Sequence, residues 1–214
     1  MQHPFINDET KATPAYQAMN MSANEYLLII QPSTDVSEKI MQQKKLFAEK
    51  YDCPSALYSK PHITLINFLQ WPINERNIIH RLTTIIETIK PFMVSLKNFG
   101  SFPSHTIYAN VETKNAIVDT VKSLRPIQSF LKLDNDNKPH YIVEPHVTIA
   151  RKLQPWQYEQ GWLEYSNSSF SAQFMVHQIV LLKKNIHAKK YQAAANFSLL
   201  NKPSSKAHQA NLFT

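Results

Sequence analysis

The chain has 214 residues, 43% apolar and 18% charged, a balance that supports one sizeable hydrophobic core and excludes disordered and fibrous classes. A formal charge of +7 and a pI near 9.4 favour polyanionic partners such as nucleic acid. A single cysteine, Cys53, excludes an internal disulfide and reads as an inert thiol, while two glycines, Gly100 and Gly161, exclude a Gly-rich phosphate loop or dinucleotide fingerprint.

Residues 1–24 lack apolar periodicity and a leader-like apolar stretch, and residues 201–214 are small and polar, so both are expected to be extensions around one domain spanning residues 25–200. No run approaches the length of a membrane span, and a soluble, cytoplasmic monomer is expected. EYLLIIQP, starting at Glu25, reads as a buried strand ended by proline. Val36, Ile40, Phe47 and Tyr51 recur at helical spacing among Lys and Gln, which predicts an amphipathic helix. The neighbouring pair Lys44 and Lys45, like Lys183 and Lys184, reads as solvated surface charge.

KPHITLINFLQ follows as a strand, then a helix over 74–90 opened by Asn74 and closed by Pro91, with Ile78, Leu82, Ile85, Ile86 and Ile89 on one face. PFMVSLKNFG and TIYANVE, joined by the turn-rich SFPSH, predict a hairpin. A helix from Asn115 to Leu131, interrupted at Pro126, leads through the loop DNDNKPH to the strand EPHVTIARKLQ. The next stretch, QPWQYEQGWLEYSNSSFSAQ, shows no clear pattern; FMVHQIVLLKK reads as one strand and YQAAANFSLL as a last short one.

Pro-His-aliphatic-Thr-aliphatic thus occurs twice, with His62 and His146 separated by 84 residues and Thr64, Thr148 at the same offset. Chance would supply about 0.03 copies of Pro-His-any-Thr in a chain of this composition, so the repeat implies two related halves. On a strand, His62 and Thr64 share one face while Ile63 and Leu65 share the other, and His146/Thr148 against Val147/Ile149 repeat the scheme. Each strand therefore anchors through its aliphatic pair and presents an imidazole and a hydroxyl about 7 Å apart. Two imidazoles across a cleft suit displacement at phosphorus, where a base activates the nucleophile and an acid protonates the leaving oxygen. The threonine hydroxyls can hold the non-bridging oxygens.

These residues resemble the paired signatures of the two-histidine phosphoesterase superfamily, in its RNA 2',3'-cyclic phosphodiesterase and 2'-5' RNA ligase branch. Gly100-Ser101-Phe102-Pro103, Arg151 and the approach to Tyr191 extend the similarity over roughly Glu25 to Leu200. The resemblance implies an α+β fold, bilobal, with two antiparallel sheets related by a pseudo-twofold, helices outside and a central cleft. It also implies His62 and His146 as catalytic acid and base, Thr64 and Thr148 as phosphate ligands, and neither cofactor nor metal. Arg151, Phe102 and Tyr191 are candidate substrate contacts, and the expected substrate is RNA or a nucleotide bearing a 2',3'-cyclic phosphate. A binding protein that holds phosphate without turnover, or the same chemistry on a 2'-5' linkage or a small cyclic phosphate, are the alternatives. A regular strand would turn Arg151 away from the cleft, since it shares parity with Val147 and Ile149; only a bulge or strand end would bring it back. His140 lacks the following threonine, and His177 and His187 have no partner at metal-ligand spacing.

Overall fold

A computed structural model describes residues 22–203; the expected extension and tail lie almost wholly outside this range. The chain begins with β1 (Asn24–Ile30), α1 (Thr34–Lys50), a 3-10 turn (Pro54–Tyr58) and β2 (Ile63–Gln70). A second 3-10 turn (Pro72–Asn74) leads into α2 (Glu75–Ile86) and the hairpin of β3 (Phe92–Phe102) and β4 (Thr106–Val111). α3 (Lys114–Ser123) follows, and Pro126 breaks it as expected, through a 3-10 turn (Arg125–Ile127) into the single turn α4 (Gln128–Leu131). The remainder is β5 (His140–Tyr141), β6 (His146–Arg151), α5 (Pro155–Tyr165), β7 (Ser171–Val176), β8 (Gln178–Asn185) and β9 (Gln192–Ser198).

All strand pairs are antiparallel, in one sheet of order β5-β2-β1-β8-β9 and a second of order β6-β4-β3-β7. The α+β class with two antiparallel sheets is therefore as the resemblance implied. The repeat is visible in the connections: β1-α1-β2 in one sheet matches β4-α3-β6 in the other. Each half then sends a strand across, β3 into the second sheet and β8 into the first. The helices cross as well, α1 packing on β6 and β7 with α5 on β4, while α2 packs on β9 and α3 on β2. Neither half can bury its apolar face without the other, so one continuous core joins Leu28, Ile63 and Leu65 to Ile107, Val147 and Ile149. No helix among the described residues is long and apolar enough to cross a membrane.

Two expectations need correction. FMVHQIVLLKK is not one strand: β7 ends at Val176 on the edge of the second sheet, and after His177 the chain enters β8, between β1 and β9 of the first. The Leu199 amide donates to the His177 carbonyl (2.8 Å), tying down the crossing. The unpatterned stretch 155–165 is the helix α5, with Pro155 in its first turn and reciprocal Gln154–Gln157 capping. Its buried residues are Gln157, Gly161 and Tyr165, a polar, a tiny and an aromatic residue at four-residue spacing, so no aliphatic periodicity marks it. Gly161 lets α5 approach α1 closely: a Cβ there would lie 2.7 Å from Phe47 Cε2.

Candidate active site

His62 stands one residue ahead of β2, and His146 opens β6. In both, Nδ1 lies 2.8 Å from the carbonyl oxygen two residues earlier, Lys60 in one and Glu144 in the other. A carbonyl only accepts, so Nδ1–H is the donor in both rings, and each neutral imidazole keeps its Nε2 lone pair free. The intervening Pro61 and Pro145 bias those carbonyl-bearing residues away from helical geometry, which accounts for the proline in the repeated phrase. β2 and β6 pack against each other between the sheets, close enough that the charge of His146 disfavours that of His62. Ile63, Leu65, Val147 and Ile149 are fully buried on the opposite faces, as the alternation predicts. Among the described residues the half-buried Thr64 and Thr148 hydroxyls have no hydrogen-bond partner and no buried side-chain polar atom is orphaned, so both hydroxyls are open to a ligand.

The strands are not regular, and the irregularity is repeated. Against β1, the pairing steps from Ile66 to Thr64 and skips Leu65. Against β4, it steps from Ala150 to Thr148 and skips Ile149, the same position 84 residues later. Each bulge leaves two consecutive apolar residues facing the core and returns the next residue to the histidine face. In β6 that residue is Arg151, paired with Thr106 and on the same side as Thr148, so the bulge brings it to the cleft. Its guanidinium is exposed, pairs with no carboxylate among the described residues, and is felt by Lys44, His62 and Tyr191. The equivalent of Arg151 in the first half is Asn67, whose amide donates instead to Glu25 (3.1 Å).

His146 is held by aromatic neighbours. Phe102 meets it edge-on at 4.9 Å, Tyr108 tilts against it at 5.0 Å, and Phe102 and Tyr108 touch each other at 4.8 Å between ring centroids. Gly100, paired with Tyr108 across β3 and β4, makes room for this stack, because a Cβ there would sit 2.5 Å from Tyr108 Cε2. Gly100→Ala is therefore expected to displace the Tyr108 ring, misalign His146 and lower kcat/KM about tenfold while the protein still folds. Steady-state kinetics beside a thermal melt checks this, and unchanged kinetics in a folded variant would refute it.

Burial first, opposed by the Lys60 carbonyl and reinforced by the cations Lys44, Arg151 and His146, holds the His62 pKa below its ordinary value. Burial also lowers His146, but there the carbonyl and then the carboxylate of Glu144 push the other way. The expectation of surface charge for the pair Lys44 and Lys45 holds only for Lys45. Lys44 is 1% exposed and donates to the Ser59 carbonyl (2.7 Å) and hydroxyl (3.2 Å). It lies on the face of α1 with Val36, Ile40 and Phe47, so the helical spacing already contains the signal.

Tyr191 precedes β9 on the cleft side of the first sheet, with the Lys184 ammonium 5.1 Å from its ring centroid. Burial first, then Glu25, keeps its phenol protonated. Burial would raise the Glu25 carboxyl, but hydrogen bonds from Lys184, Tyr191 and Asn67 outweigh it and hold it low. His140 pairs with Asn67 across β5 and β2 and so shares this face. His177 sits at the crossing between sheets, and exposed Trp156 lies on α5 outside the second sheet. Among the described residues no three His, Cys, Asp or Glu side chains form a metal-ligand cluster.

The fold has counterparts among solved structures. TT0787 of Thermus thermophilus superimposes with a TM-score of 0.61 at 17% identity, over 84% of this chain and all of that one. E. coli LigT in its apo form gives 0.60 at 13%, over 83% and 98%. LigT complexed with 3'-AMP gives 0.57 at 13%, also over 83% and 98%. At such identities the likeness establishes the fold alone. A Bacillus licheniformis protein with a provisional phosphoesterase name is 25% identical over 120 residues, 55% of this chain and 67% of that one. The family model described as the 2'-5' RNA ligase superfamily matches residues 32–187, which include both histidines, both threonines and Arg151. The chain belongs to the 2'-5' RNA ligase superfamily of two-histidine phosphoesterases.

Proposed function

We propose that the protein is a phosphodiesterase that opens 2',3'-cyclic phosphate ends of RNA or nucleotides to a 2'-phosphate. The observation that carries this reading is the pair of imidazoles, each with Nδ1–H tied to a backbone carbonyl and Nε2 free. One Nε2 takes a proton from water as the water oxygen bonds to phosphorus. The bond from phosphorus to the 3' oxygen breaks, and the other imidazole, entering as imidazolium, protonates that oxygen. Thr64, Thr148 and Arg151 stand where the non-bridging oxygens carry their charge, the guanidinium offering the bidentate geometry that phosphate accepts. Phe102 and Tyr191 border the same face, Phe102 chiefly as a support of His146 and Tyr191 as a wall for the sugar or base. The family and the positive charge of the chain favour the same substrates, and LigT has been solved with 3'-AMP.

The test is a panel of 2',3'-cyclic nucleotides, oligonucleotides ending in a cyclic phosphate, and 2'-5' linked dinucleotides, with products assigned by phosphorus NMR. A 2'-phosphate from the cyclic substrates supports the proposal. Cleavage confined to 2'-5' linkages moves the protein to that substrate class, and salt-sensitive RNA binding with no product overturns the enzymatic reading.

A further inference from the structure

The two halves present matching imidazoles but unmatched charges. Behind His62 lies Lys44 of α1, the only charged side chain among the described residues that is buried. It has no carboxylate partner among them. On the His146 side, α3, the helix that α1 matches in the repeat, supplies a lysine that is half-exposed and compensated: Lys114 pairs with Glu144, the residue whose carbonyl holds the His146 ring. An uncompensated buried ammonium is costly, and hydrophobic residues of similar volume fill such places more cheaply. Its burial beside His62 therefore points to work at that site.

Lys44 is coupled to His62 in two ways. Its hydrogen bonds fix Ser59, the neighbour of Lys60, whose carbonyl receives the His62 Nδ1–H. Its charge also faces the imidazole together with those of Arg151 and His146 from β6, so three cations oppose protonation of His62. His146 instead faces Glu144 on its own lead-in, with the neutral rings of Phe102 and Tyr108 around it. Burial first and Arg151 second bring the Lys44 pKa down to about 8, which leaves it charged throughout the range in which the histidines titrate.

We propose that Lys44 is a positioning residue that breaks the symmetry of the histidine pair: it braces the backbone behind His62 and keeps that imidazole neutral. His62 is then the base that takes the proton from water, and His146 is the acid that delivers one to the leaving oxygen. The acid and base roles rest on the phosphodiesterase reading; the effect of Lys44 on His62 does not.

The experiment follows the ring protons of both histidines by NMR across pH 4 to 9 in the full chain, in wild type, Lys44→Met, Lys44→Gln and Lys44→Arg, beside the pH dependence of kcat/KM. In Lys44→Met, His62 should titrate at higher pH while His146 moves little. The acidic limb of kcat/KM should follow, so that activity at pH 5.5 falls about 3- to 10-fold relative to the variant's own maximum. Lys44→Arg should restore both. Lys44→Gln keeps a donor for Ser59 without the charge, and should reproduce the titration change even if Lys44→Met fails to fold. An unmoved His62, or an equal movement of both histidines, overturns the proposal. If the wild type turns over no cyclic phosphate, the functional reading fails, yet the NMR titration still decides whether Lys44 controls His62.

Discussion

His62→Ala and His146→Ala are each expected to lower kcat/KM on a 2',3'-cyclic phosphate about 10²- to 10⁴-fold, the range for a positioned acid or base. Both variants should fold, because the strands are anchored by the opposite faces. Ile63, Leu65, Val147 and Ile149 are all 0% exposed, whereas both imidazoles are only half-buried. Removing either ring frees one backbone carbonyl, at a cost of about 0.5–1.5 kcal/mol. The double variant should lose little more than either single one, because both groups act in the same transition state. Circular dichroism with steady-state kinetics separates the two effects. A folded single variant keeping more than about a tenth of wild-type activity would refute the two-histidine mechanism.

The pH profile is the second large effect, since each limb costs about tenfold per pH unit. The base must be neutral, so activity is lost as pH falls through its pKa. The acid must be protonated, so activity is lost as pH rises through its pKa. Burial, the leading cause in both, sets each histidine below its ordinary value near 6.5. The bell of kcat/KM, which reports the free enzyme, should therefore lie on the acid side of neutrality. A bound phosphate anion between the rings favours both imidazolium forms, so the bell of kcat should stand at higher pH than that of kcat/KM. A flat profile from pH 5 to 9, or a kcat/KM maximum above pH 8, would contradict the assignment.

Much of the site is legible in the sequence, for a local reason. Residues two apart on a strand share a face, so the phrase His-aliphatic-Thr-aliphatic states which groups face the cleft and which face the core. Lys44 is legible too, at helical spacing with Val36 and Ile40, but the ordinary expectation for a lysine pair hides it. The bulges leave a fainter trace: Leu65-Ile66 and Ile149-Ala150 each interrupt the alternation with two successive apolar residues. That trace explains how Arg151 reaches the histidine face against strict parity.

Other features have no local signature. α5 buries glutamine, glycine and tyrosine, residues that fit Phe47 and α1 rather than follow an aliphatic period. The break at His177 separates two strands of similar composition, and only the competition between two sheets for partners decides where one ends. The duplicated phrase, the α+β class and the face shared by each histidine and its threonine follow from the sequence, because they depend on side-chain alternation and composition within a few residues. The exchange of β3 and β8 between halves, the return of Arg151 to the cleft and the unequal charges behind His62 and His146 belong to the tertiary structure. They arise from packing between segments distant along the chain, such as β6 against the 3-10 turn Pro54–Tyr58, where no local rule operates.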